Sequence, residues 1–139
     1  MFETFEHQAD VGIRGINDSL ESAFSDVGKA LFSVMVDLDS VKSVDEVSFE
    51  VESKDLVGLL VDYLNELIFL RDTKNMFFCD FEVDIEDLDG RFVLRGIARG
   101  SKFDPEKQEI FSDVKSATFY KARVGSEVGK FVVQCVLDV

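Results

Sequence analysis

The chain has 139 residues, of which 46% are hydrophobic and 31% charged, the balance of one soluble domain over residues 1–139 rather than of a disordered or fibrous chain. Fifteen Lys and Arg against 28 Asp and Glu leave a formal charge of -13, which repels phosphate backbones: no direct nucleic-acid binding is expected, and cations or a basic protein partner suit the surface better. No apolar stretch approaches the roughly 20 residues of a membrane helix and no basic-then-apolar leader opens the chain, so a cytoplasmic protein with no membrane contact is expected.

Residues 2–7 and 11–16 read as short strands, with a turn over Gln8, Ala9 and Asp10. Asp18, Ser19 and Glu21 have the spacing of a capping box opening a helix. Leu20, Ala23, Phe24, Val27, Leu31, Val34 and Met35 recur at steps of three and four, the apolar stripe of an amphipathic helix running to about Val36. Val47, Phe49 and Val51 alternate with polar residues, the period of a half-buried strand. Ser53 or Asp55 can cap a second helix, whose residues Leu56, Leu59, Leu60, Tyr63, Leu64, Leu67 and Ile68 make it apolar nearly all round. Residues 77–85 alternate again, and Asp89-Gly90 predicts a tight turn into a returning strand over 91–98. Residues 100–108 read as an irregular excursion. A long strand follows over 114–124, then a hairpin around Gly125 and Gly129 into a last strand from Phe131. Helices early and paired strands late predict an α+β fold, two helices packed on one face of a mostly antiparallel β-sheet in a single two-layer domain.

Most catalytic signatures are missing: the chain has no phosphate-binding glycine loop, no HExxH and no GxSxG. Its single histidine, His7, excludes sites built from several imidazoles. Cys79 and Cys135 lie far apart inside apolar alternations, which gives neither a disulfide scaffold nor a zinc knuckle. Carboxylate chemistry remains. Asp10 follows the first strand, beside His7 and Gly12, and Asp138 stands next to the terminal Val139. An Asp side chain beside an α-carboxylate offers two hard oxygen groups, and Asp10 adds a third if the last strand lies beside the first. Such a cluster suits Ca²⁺ or Mg²⁺ better than Zn²⁺. Asp62 and Glu66 share a face of the second helix at i and i+4. Lys115 stands in a small, apolar run and by alternation shares a face with Ala117 and Phe119. It could pair with the acidic cluster, contact an anion or guard a sheet edge.

His7-Gln8-Ala9-Asp10-Val11-Gly12 resembles the H-x-A-D-I/V-G motif of the archease family, and Asp62-Tyr63-Leu64-Asn65-Glu66-Leu67 resembles that family's helical D-W-L-N-E-L. Phe103-Asp104-Pro105, Lys115-Ser116-Ala117-Thr118 and the terminal Val136-Leu137-Asp138-Val139 follow in the family's order, so the resemblance spans the chain. It implies an accessory protein that activates an RtcB-type tRNA-splicing RNA ligase, promoting guanylylation and multiple turnover and broadening nucleotide use. The ligase, not this chain, binds GTP and does the chemistry. The resemblance implies a metal site at Asp10, Asp138 and the Val139 carboxylate, a functional lysine at Lys115, and partner contacts that include His7 and Glu66. The chain departs from the family at Tyr63, where Trp is usual, and at Gln108 and Tyr120, where many members carry histidine. The alternatives are an acidic chaperone of RNA-processing enzymes and an independent metal-dependent hydrolase. The second lacks an evident nucleophile or base beyond the metal ligands.

Overall fold

The computed structural model describes residues 1–7 and 10–139, with Glu6 and His7 described by their backbone alone. Among the described residues the order is β1 (Phe2–His7), β2 (Asp10–Asn17), α1 (Leu20–Met35), a single 3₁₀ turn (Leu38–Ser40), β3 (Asp45–Ser53), α2 (Leu56–Lys74), β4 (Met76–Asp87), β5 (Phe92–Lys102), β6 (Ser116–Glu127) and β7 (Lys130–Asp138). This is the expected α+β class. The strands fall into two antiparallel sheets rather than one, ordered β1-β2-β7-β6 and β3-β5-β4. The chain's two ends build the first sheet and its middle builds the second. The turn expected over residues 8–10 lies largely outside the described residues.

Each helix packs on both sheets, α1 chiefly on β2 and β4, α2 chiefly on β6 and β3. One hydrophobic core results, in which Ile13, Phe24, Leu31, Leu60, Leu64, Phe78, Leu94, Val133 and Leu137 are all fully buried. Tyr63 lies wholly inside it, its hydroxyl donating to the Phe24 carbonyl at 2.9 Å and its ring against Phe24 and Phe49. A buried phenol needs such a partner, because an unpaired hydroxyl in the core costs about 1–3 kcal/mol. No described helix is long and apolar enough to cross a membrane.

Several local expectations shift by a residue or a role. Ser19, not Asp18, caps α1 by accepting from the Ser22 amide at 3.1 Å, and Asp18 instead meets Lys130 across the first sheet. Asp55 caps α2 through the Gly58 amide. The β4–β5 turn has Asp89 and Gly90 both at positive φ, the arrangement a two-residue hairpin needs. The β6–β7 turn falls on Val128-Gly129 rather than at Gly125, again with both residues at positive φ, although Val128 is β-branched.

Strand β6 is not the continuous alternation its sequence predicts. Thr118 pairs with Val136 and Arg123 with Gln134, so residues 119–122 stand opposite Cys135 alone. This bulge carries Lys121 at φ 53°, and Gln134 Nε2 donates to the Lys121 carbonyl at 3.3 Å. Phe119 therefore points to solvent, whereas Ala117 is buried. Lys115, just before β6, is exposed and does not share the buried face of Ala117.

On the outer face of the second sheet, central strand β5 interleaves arginines with the acids of its neighbours. Arg99 reaches Glu46 of β3 and Glu82 of β4, each at 2.9 Å, and Asp80 at 3.5 Å. Arg95 bridges Glu50 and Glu86, and Arg91 meets Glu52.

Candidate functional site

Strand pairing gathers the acidic candidates at one end of the first sheet. Asp10 opens β2 opposite His7 of β1, and Val11 faces Leu137 of β7. Continuing that register by one residue sets Asp10 opposite Asp138, which Ser116 faces from β6. The last strand thus lies beside the strand that Asp10 begins. Residues directly opposite one another share a face, and steps of two stay on it. Asp10, Asp138 and Ser116 therefore lie on the face of Gly12, Arg14 and Gln134, away from the fully buried Ile13, Val133 and Cys135. Asp138 is exposed, Asp10 and Val139 half-buried. The side chain of His7 lies outside the described residues.

The same face explains the glycine of the first motif. A Cβ on Gly12 would lie 2.1 Å from the Phe5 ring, so Gly12 makes room for an aromatic side chain lying on the strand. Arg14 stacks over that ring at 4.8 Å while bonding Glu3 at 2.8 Å and Gln134 at 3.1 Å. The surface behind Asp10 is thus fixed by packing.

Helix α2 positions the backbone around Lys115 from two sides. Asn65 donates to the Ala117 carbonyl at 3.1 Å and accepts from the Ala117 amide at 2.8 Å, so one side chain satisfies both main-chain groups of an edge-strand residue. Arg71 donates to the Val114 carbonyl at 3.0 Å, with Asp72 at 2.8 Å on its other side. The Lys115 amide donates to the Asp138 carbonyl at 2.8 Å. The backbone on either side of Lys115 is held by α2 and its own amide by β7, while its side chain is exposed. Sequence reasoning missed Asn65 and Arg71 as positioning groups. The available signal was a poor helix former, Asn, within a helix apolar nearly all round.

Glu66, the neighbour of Asn65, is half-buried, and that burial pushes its carboxyl above the usual carboxylate range. Asp62 on the preceding turn is exposed. Gln108 is a buried staple. Its Oε1 accepts from the Asp104 amide at 2.9 Å and its Nε2 donates to the Ser40 carbonyl at 3.0 Å, which ties the 104–108 turn to the 3₁₀ turn. Burial pushes the Cys135 thiol up to about 11, the chemistry of an inert core group rather than a nucleophile. Among the described residues no three His, Cys, Asp or Glu side chains converge on a point that could hold a metal ion. The terminal carboxylate is outside that set of side chains, so the oxygen site expected here has two Asp side chains and a main-chain group.

The profile of the archease protein family matches residues 2–139. Protein archease of Pyrococcus furiosus is 43% identical over 99% of this chain and 98% of its own length. The solution structure of a Methanobacterium thermoautotrophicum protein superposes with a TM-score of 0.87 at 33% identity, covering 99% of this chain and 98% of that one. The structure of a Thermotoga maritima protein, described as an archease and possible chaperone, superposes with a TM-score of 0.55 at 14% identity over 100% of this chain and 98% of its own, a likeness of fold.

Proposed function

The chain belongs to the archease family, and from that premise we propose that it is a cytoplasmic accessory protein, not itself an enzyme, that activates an RtcB-type tRNA-splicing RNA ligase. It promotes the ligase's guanylylation and repeated turnover and broadens its nucleotide use. The ligase binds GTP. The observation that carries this reading is the register that sets Asp10 opposite Asp138, with Val139 and Lys115 at the same end of the sheet.

Among the described side chains the donors at that end are all oxygen, on the outward face, and too few to close a cage. That set fits Ca²⁺ or Mg²⁺ with positions left for water or partner atoms, because Ca²⁺ takes about six to eight oxygens. Asp10, Asp138 and the Val139 carboxylate would hold the ion. A bound cation supplies a positive charge that can meet phosphate oxygens at the ligase's nucleotide site. Lys115, fixed through its backbone, presents a second positive charge beside it. His7 and Glu66 complete the partner contact. The charge of -13 favours fast, reversible encounter with a basic, RNA-binding enzyme.

The test is ligation by the cognate enzyme with GTP and Mn²⁺. Small amounts of wild type should convert single turnover into many, and Asp10→Ala, Asp138→Ala and Lys115→Ala should lower that gain on the order of tenfold or more while melting as wild type does. A wild type that leaves turnover unchanged would overturn the ligase reading. A chaperone, the description carried by the T. maritima neighbour, needs no cation. Full activity of Asp10→Ala would favour it.

A further inference from the structure

We infer that the β6 bulge is the anchor by which this chain docks on its protein partner, with Phe119 and Tyr120 entering an apolar, acid-rimmed pocket of that partner. The inference rests on the ligase reading and adds where the ligase is gripped. Phe119 is 65% exposed and Tyr120 55% exposed, two adjacent aromatics at the surface of the first sheet. A strand of normal register would turn one of two neighbouring side chains inward. Here four residues stand opposite Cys135 alone, and the insertion redirects them. Bulges commonly re-aim side chains beside functional sites.

The projection is rigid. Thr118 and Arg123 are paired on either side, and the Gln134 side chain holds the Lys121 carbonyl from β7. A preorganised aromatic pair is the composition of a binding hot spot, and it loses little freedom on docking.

Position and charge select the occupant. Along β7 the bulge lies three residues from Asp138, about 10 Å at the rise of a strand. One partner surface can therefore cover both the aromatics and the carboxylate end. Lys121 lies in the bulge and Lys115 just before β6, and among the described residues no ion pair engages either. Lys121 Nζ lies 5.8 Å from the centre of the Tyr120 ring. In a chain of charge -13 this is a local basic rim. The complementary pocket is apolar with acidic groups at its edge, on an enzyme whose cationic centre lies about 10 Å away. A second copy fits poorly: an isologous contact would set these lysines against themselves and bring two strongly acidic chains together.

Binding of the full-length protein to the purified ligase, measured by calorimetry alongside turnover, tests the anchor. Phe119→Ala/Tyr120→Ala should melt close to wild type and bind at least tenfold more weakly, with activation restored at saturating concentration. Lys121→Glu should weaken binding by a smaller factor that shrinks as salt is added. Asp10→Ala should bind within about threefold of wild type yet fail to activate, which separates grip from function. Unchanged binding by the double variant, with wild type still activating, would overturn the anchor and leave the ligase reading standing. No binding by wild type would overturn both. A wild-type dimer or an RNA gel shift abolished by the double variant would overturn the assignment in favour of a second copy or of RNA.

Discussion

Asn65 gives the edge of β6 what a further strand would give it, a donor and an acceptor at the spacing of one residue. Removing it with Asn65→Ala leaves the Ala117 amide and carbonyl without their partner at a packed helix–strand contact. Stability should fall by about 1–3 kcal/mol, read as a lower urea midpoint at unchanged slope. A midpoint equal to that of wild type would mean water replaces the side chain without loss. The neighbouring Glu66 behaves oppositely. Burial raises its carboxyl above the ordinary value, so the folded chain holds the proton more tightly than the unfolded chain does. Its contribution to stability is fully present below the ordinary carboxylate range and is lost as pH rises through the folded value. Glu66→Gln removes that loss. Its melting temperature should match wild type near about pH 3 and exceed it at pH 7. A difference independent of pH would show that the carboxylate stays solvated.

In the second sheet, element geometry decides what the charges do. Arginines on central β5 face acids on both flanking strands, so each cation separates carboxylates that would otherwise repel. Arg99→Met leaves Glu46, Asp80 and Glu82 without it. The variant should be less stable than wild type at low salt and approach it near 1 M NaCl, where the Debye length is about 3 Å. A deficit that ignores salt would assign the loss to packing of the arginine stem instead. The strands themselves were readable because period-two alternation is local, and so was the Asp89-Gly90 turn, whose residues tolerate positive φ. Their division into two sheets was not, because it depends on which strands meet across the whole chain. The β6 bulge was hidden because no Gly, Pro, Asn or Asp interrupts residues 114–124, and the β6–β7 turn by a valine where Asn or Asp would signal one. For the candidate site, Asp10 and Asp138 could be named from residue type, but their meeting depended on β7 choosing β2. Asn65 and Arg71 act through backbone atoms of β6 and its approach, contacts with no signature in sequence spacing.

At the scale of the molecule, the first sheet joins residues more than a hundred positions apart, as in the bond between Arg14 and Gln134. Such pairing places the chain among the slower-folding topologies. The tip of its β6–β7 hairpin helps little. Val128, fully exposed, sits at φ 51°, a backbone region that costs a side-chain-bearing residue roughly 1–2 kcal/mol. A hairpin whose turn is strained is not nucleated there. Zippering should start where β7 finds β2 and the core, and the Val128 tip should close after the transition state. Val128→Asn, which fits positive φ, should then stabilise by about 1 kcal/mol almost entirely through slower unfolding, with the folding limb of the chevron unmoved. A faster folding limb would put the turn in the nucleus. On the expected result, the tip of β6–β7 opens before the rest of that hairpin, and the strand that carries Asp138 keeps its place beside β2 while the turn frays.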